Sequence, residues 1–499
     1  MDLLSNLILG FSVALSPLNF FYCFAGAVIG TFVGVLPGIG PLGAIAMVLP
    51  ITFKLPAVSA LIMLAGIYYG AMYGGSTTSI LVNIPGEASS VVTCLDGHQM
   101  ARQGRAGAAL GIAAIGSFFA GCTSTMFVAM FGPPLADMAL KFGPADYFSL
   151  MVLGLVAAVV LAYGSLLKAI AMVVLGLLLG LAGRDVTSGV LRFCFGAREL
   201  TDGINFVVIG LGLFAFPELI INIERKQSRV VLRADIKKVM PTRADFKSSW
   251  PSILRGTGLG SVLGILPGGG AILGSFASYS LEKRLAKDPS RFGKGAIEGV
   301  AGPESANNAG SQTSFIPMLT LGIPSNAVMA LMLGAMMIQG IVPGPQVMDK
   351  NPDLFWGIIA SMWVGNLMLV VLNLPLIGLW VRLLTVPYRL LSPAILILCC
   401  IGLYSLNKSW LDLSLAAGIG LLGYVFYKLD CEPAPLLLAF ILGPMMEEYL
   451  RRAMLLSRGD PSVFFTRPIS LAMLLVAFVL VFLIAAPAAR RKREEAFKE

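Results

Sequence analysis

The sequence predicts an all-α integral membrane protein made of two related halves. Three observations carry that expectation: composition, the length of the apolar runs, and a Gly/Pro motif that occurs twice along the chain. Of 499 residues, 57% are hydrophobic and only 13% are charged, and the mean hydropathy is +0.84. A soluble domain carries about 25% charged residues, so no ordinary water-exposed surface can be built from this chain. Apolar runs cover residues 147–163, 166–181, 204–223, 411–427 and 470–486. Each is near the length at which a helix crosses about 30 Å of hydrocarbon, and the whole pattern gives roughly ten to twelve membrane elements.

Charge then divides the chain. A first membrane repeat spans 1–223, a basic linker 224–250 and a second repeat 251–450, while 451–499 holds a terminal loop, a last transmembrane helix and a basic tail. Lys226, Arg229, Arg233, Lys237, Lys238, Arg243 and Lys247 crowd the linker, and Arg490, Arg491, Lys492 and Arg493 lie in the tail, which places both on the cytoplasmic side. The net charge of +9 therefore belongs to loops and tail and does not mark a nucleic-acid-binding face. The seven cysteines show no paired ligand spacing and read as small hydrophobes. Residues 3–15 lack the basic start and small-residue cleavage site of a removable signal peptide.

The repeat is the most informative feature. Gly30, Gly34, Pro37, Gly38 and Gly40 reappear as Gly260, Gly264, Pro267, Gly268 and Gly270, all at an offset of 230. A second motif follows each copy in the same order: Gly75 to Ser79 and then Ile84-Pro85-Gly86, matched by Gly310 to Ser314 and then Ile323-Pro324-Ser325. Matching loops carry opposite charge patterns. The loop near Lys54 is poor in basic residues and its counterpart holds Lys283, Arg284, Lys287, Arg291 and Lys294. His98, Arg102 and Arg105, placed in a cytoplasmic loop, oppose Asp349, Lys350 and Asp353. That contrast predicts inverted-topology repeats, against which Arg184, Arg192 and Arg198 stand as an exception. With the linker and the Lys283 region on one side, the stretch between them should be a re-entrant hairpin or broken helix with Pro267 to Gly270 at its tip, paired with Pro37 to Pro41 in the first half.

Broken helices at membrane depth expose N–H groups at one end and carbonyls at the other, so two such tips would line a site for an anion and a cation. On that reading Gly38, Gly40, Gly268 and Gly270, with Pro85, Pro324 and the amides of Asn83, Asn307 and Asn308, are candidate substrate contacts. Ser76, Thr77, Thr78, Ser79, Ser311, Thr313 and Ser314, with Glu304, are candidate ligands for a hard cation such as sodium. Each feature has a plainer alternative. Glycines also allow close helix packing, and Ser or Thr can bond back to their own helix. Glu304 could carry a proton, and it or Glu87 could instead be ion-paired or interfacial. No phosphate-cradling loop, zinc signature or Cys/His nucleophile is present, so transport driven by an ion gradient is favoured over enzyme chemistry, with no cofactor.

These motifs resemble the large membrane subunit of tripartite tricarboxylate transporters, the TctA family. The resemblance rests on residues 34–41, 69–81, 83–87 and 96–101 in the first half, and on 264–270, 303–309 and 320–324 in the second. It implies a multi-pass protein of the bacterial inner membrane, secondary transport coupled to Na⁺ or H⁺, and uptake of citrate or another di- or tricarboxylate. It also implies two partners, a small membrane subunit of about four helices and a periplasmic solute-binding protein. A single-component anion transporter and a non-transporting membrane scaffold are the competing expectations.

Overall fold

The computed structural model describes residues 3–36, 40–162, 165–185, 188–224, 240–266, 270–384 and 388–485. The first half runs α1 (Leu3–Ala14), α2 (Pro17–Val35), α3 (Gly40–Thr52), α4 (Ala57–Val82), α5 (Val91–Arg102), α6 (Ala106–Ala139), α7 (Pro144–Leu161) and α8 (Leu166–Gly180). A two-stranded antiparallel ribbon, β1 (Gly183–Arg184) and β2 (Leu191–Arg192), then leads to α9 (Phe206–Gly210) and α10 (Phe216–Glu224). A π-helical turn joins these two helices just before Pro217, which has no N–H to give the Leu213 carbonyl. The second half follows as α11 (Arg243–Gly264), α12 (Gly270–Leu285), α13 (Glu298–Thr313), α14 (Phe315–Leu321), α15 (Ala327–Ile338), α16 (Gln346–Lys350) and α17 (Pro352–Asn373). The remaining helices are α18 (Ile377–Leu383), α19 (Tyr388–Asn407), α20 (Trp410–Lys428), α21 (Ala434–Leu456), α22 (Val463–Thr466) and α23 (Pro468–Ala485).

Among the described residues, six helices are long and apolar enough to cross a membrane, and seven shorter apolar helices of 10–17 residues accompany them. The protein is thus an all-α, multi-pass membrane protein. Its outer surface is apolar where lipid would touch it: Leu475, Phe478, Val479 and Phe482 of α23 and Leu421 and Leu422 of α20 are each at least half exposed. Backbone polar groups inside hydrocarbon must be satisfied within each segment, which is why these stretches are helices.

The two motif copies fold alike. Gly26, Gly30 and Gly34 of α2 lie against the carbonyls of Met63, Ile67 and Ala71 in α4, and Gly256, Gly260 and Gly264 of α11 lie against those of Gly302, Ala306 and Gly310 in α13. A Cβ at any of the six would come within 2.5 Å of a carbonyl oxygen. Small residues every fourth position let these helix pairs meet backbone to backbone. Gly260→Ala should therefore destabilise the protein by about 1–3 kcal/mol. Gly258→Ala, on the same helix with open space around it, should be neutral or slightly stabilising. Thermal unfolding of the two variants in detergent checks this, and equal melting temperatures would contradict it.

The correspondence continues past the helix ends. Asn83 and Gly322 both take left-handed backbone, with φ 58° and 70°, ahead of an Ile-Pro pair that prevents the helix from continuing. Helices α5 and α15 then end in the same cap. Arg105 N donates to Met100 O and Gly104 N to Ala101 O, as Ile341 N does to Met336 O and Gly340 N to Met337 O. The glutamine beside each cap reaches into the opposite half: Gln103 Nε2 donates to Lys294 O at 2.8 Å and Gln339 Nε2 to Thr52 O at 2.9 Å.

His98, Arg102 and their neighbours form α5 rather than a loop. The physical reason is Asp96, fully buried on that helix, whose carboxylate accepts from Tyr279 OH at 2.9 Å and from Gly295 N and Ala296 N at 2.8 Å. Three donors from the second half dock the segment as a helix. Arg192, one of the arginines that disagreed with the charge pattern, is paired with Glu447 at 3.0 Å, and Glu447 also receives Arg451.

Candidate functional site

Helix α13 is the centre of the molecule and its least membrane-like helix. Its sequence, EGVAGPESANNAGSQT, is rich in small and polar residues, yet every residue from Gly299 to Thr313 is buried. It packs against α11, α12, α6, α5 and α4, so protein rather than lipid surrounds it. Polar side chains are tolerable there only if they find partners or a ligand.

Glu304 is fully buried and accepts hydrogen bonds across the two halves, from Ser76 Oγ of α4 at 2.6 Å and from Thr93 Oγ1 of α5. One turn on, Asn307 Nδ2 donates to Glu87 Oε1 at 3.1 Å. Glu87, in the connection between α4 and α5, also accepts from Ser89 Oγ at 2.5 Å and from Ser89 N at 2.7 Å. Gly75 leaves room for it, since a Cβ there would sit 3.0 Å from Glu87 Cγ. Asn308 Nδ2 donates to Ser117 Oγ of α6 at 2.8 Å and to Glu304 O at 3.0 Å.

Not every polar atom is satisfied. Asn307 Oδ1, Asn308 Oδ1 and both amide atoms of Gln312 are buried without a hydrogen-bond partner. Beside Ser76 and Ser117 lies a cavity of about 10 Å³, also lined by Tyr73, Thr77 and Asn373, whose own Oδ1 is unpartnered. That is room for about one water-sized occupant.

The structure thus brings together Ser76, Glu304, Asn307 and Asn308 from the sequence-derived candidates and sets Thr77 at the cavity. Others have local duties. Thr78 Oγ1 donates to Val35 O at 2.7 Å, tying α4 to the end of α2, and Ser79 Oγ donates to Ser90 Oγ at 3.0 Å. Ser311, Thr313 and Ser314 donate to carbonyls of their own helix, at Asn308, Ala309 and Gly310. Gly40 has φ 63° with nothing near its Cβ position, whereas Gly270 packs on Gly264. Asn83 is exposed and Pro324 is buried in the matching bend. Gly38 and Gly268, with Pro37, Ile39, Pro267 and Gly269 of the two tips, lie outside the described residues. Sequence reasoning missed Thr93, Ser117 and Ser89. Single hydroxyls in helical or turn segments carry no spacing signal, and only the docking of α13 gives them a role.

A helical membrane core holding carboxylates, amides and hydroxyls between two similarly folded halves defines a polytopic membrane protein with a buried polar centre. The chain belongs to the tripartite tricarboxylate transporter TctA family, whose model matches residues 20–438. This is a family of transporter components rather than enzymes. The chain is 58% identical over 499 residues, all of it and 99% of that protein, to an uncharacterized 52.8 kDa protein in the TAR-I ttuC' 3' region of Agrobacterium vitis. It is 62% identical over 240 residues, 48% of this chain and 99% of that protein, to an uncharacterized protein in the TAR-II ttuC' 3' region of the same organism. No solved structure matches.

Proposed function

We propose that the chain is the large permease subunit of a binding-protein-dependent carboxylate transporter of the bacterial inner membrane, taking up citrate or another di- or tricarboxylate with Na⁺ or H⁺. The observation that carries this reading is Glu304, a carboxylate buried at the junction of the halves with hydroxyl partners and, among the described residues, no ion pair. An uncompensated buried charge costs several kcal/mol or more, so the group is neutralised by what it binds. In this reading the coupling cation sits among Ser76, Thr93 and Glu304. The carboxylate substrate meets the Gly38–Gly40 and Gly268–Gly270 tips, and the halves are inverted so that rocking exposes the site alternately. A small membrane subunit and a periplasmic binding protein complete the system.

Uptake of radiolabelled citrate, with competing di- and tricarboxylates, in vesicles carrying the chain with its partners tests this. Expected is binding-protein-dependent uptake stimulated by an inward Na⁺ or H⁺ gradient. Uptake of no carboxylate under either gradient would refute it. Ser76→Ala should raise the cation concentration for half-maximal uptake about tenfold, one hydrogen bond to a charged group. Thr313→Ala, whose hydroxyl is engaged by its own helix, should change it less than about twofold.

A further inference from the structure

We infer that Glu87 and Asn307 form a second monovalent-cation site, distinct from the one at Glu304 and bridging the two halves of the chain. The inference rests on the transport reading above and adds to it a second bound ion.

Glu87 and Glu304 share a burial problem and differ in their partners. Glu87 is 8% exposed, and no lysine or arginine pairs with it among the described residues. Glu304 is bonded only by hydroxyls, which can donate or accept and so suit either an ionised or a protonated carboxyl. Glu87 instead accepts from two N–H groups that cannot accept in return, Ser89 N on Oε2 and Asn307 Nδ2 on Oε1, together with the Ser89 hydroxyl. Such a set favours the ionised form. Burial works against that form, and a bound positive charge, which no side chain supplies among the described residues, would hold the carboxylate ionised.

The same amide offers a further ligand. Asn307 is fully buried, its Nδ2 rests on the Glu87 carboxylate, and its Oδ1 has no partner. The amide oxygen left without a partner and the carboxylate that holds the amide nitrogen are both hard oxygen ligands of the kind that alkali and alkaline-earth cations accept. One carboxylate neutralises one unit of charge, so the pair suits a monovalent cation such as sodium and would leave a divalent ion uncompensated. Asn307 stands three residues after Glu304 on α13, one helical turn away. Two ions so placed would fasten α13 to the α4–α5 connection at two points.

The test is equilibrium binding of radioactive sodium to the purified full chain in detergent, with choline balancing ionic strength. Wild type should bind two ions per chain, and Glu87→Gln one. Asn307→Leu, which keeps the side chain's size and removes both polar atoms, should weaken one of the two sites at least tenfold. It decides the matter if Glu87→Gln fails to yield a monodisperse protein. Two sites of unchanged affinity in Glu87→Gln, or in Asn307→Leu, would overturn the inference. No site in wild type, or a single site that survives Glu87→Gln, would overturn it as well, while gradient-driven carboxylate uptake would still leave the transport reading standing. The converse is separable too: two intact sites in Glu304→Gln, with one lost in Glu87→Gln, would remove the ion from Glu304 and keep the one proposed here.

Discussion

Glu304→Gln should abolish cation-stimulated carboxylate uptake, or raise the cation requirement about 100-fold, while leaving a folded protein. Gln has nearly the shape of Glu, and the Ser76 and Thr93 hydroxyls that now donate to the carboxylate can turn to accept from an amide. The loss falls on binding because a neutral amide cannot balance a bound cation in a fully buried site. Losing about 3 kcal/mol, the upper range for a hydrogen bond to a charged group, corresponds to the factor of about 100. Gradient-driven uptake measured beside a size-exclusion profile checks both halves of the statement. Wild-type cation dependence in a well-folded Glu304→Gln protein would move the coupling site elsewhere.

Gly86→Val should leave no folded protein to assay. A Cβ on Gly86 would lie 2.2 Å from Gly34 O and 2.5 Å from Gly75 Cα, so backbone confines it on both sides. Neither neighbour can swing away as a side chain could, and Gly34 is itself held against Ala71 O. Overpacking of a flexible core costs about 1–3 kcal/mol. Here the obstacle is the seam of α2, α4 and their connection, and about 3 kcal/mol or more is expected from a protein whose total stability is of order 5–15 kcal/mol. Loss of the monodisperse peak in detergent is the readout. Gly258→Val, on an exposed helical face with open space around it, should keep its peak.

Much of the fold was legible because hydropathy and length are one-dimensional signals. Residues 147–163, 166–181, 204–223, 411–427 and 470–486 became helices within a few residues of their expected ends. The Gly/Pro copies were legible as a repeat, and their glycines proved to be helix seams. What hydropathy alone could not reveal was α13, since no apolar run marks a helix that protein encloses on every side. The density of polar residues after Glu304 pointed to it indirectly. Ser and Thr spacing also could not say which hydroxyls turn inward. Ser76 reaches Glu304 while Ser314 bonds to Gly310 O, a difference set by tertiary packing rather than by residue type. Likewise the Asp96 region read as a loop because its docking partners, Gly295 and Ala296, lie about 200 positions downstream.

That separation has a consequence for how the chain is made. Asn307, which caps the Glu87 carboxylate, is synthesised 220 residues after it, and the donors to Asp96 follow it by 199 and 200 residues. At about 5–20 residues per second, a nascent first half waits roughly 10–45 s for those partners. Until they arrive, Glu87 lacks its amide donor and Asp96 the donors that dock α5, so both carboxylates must be held by water or by the insertion machinery, because a buried unpaired carboxylate is costly. The first half is therefore born unfinished, and its assembly in the membrane is completed only when the second half is delivered.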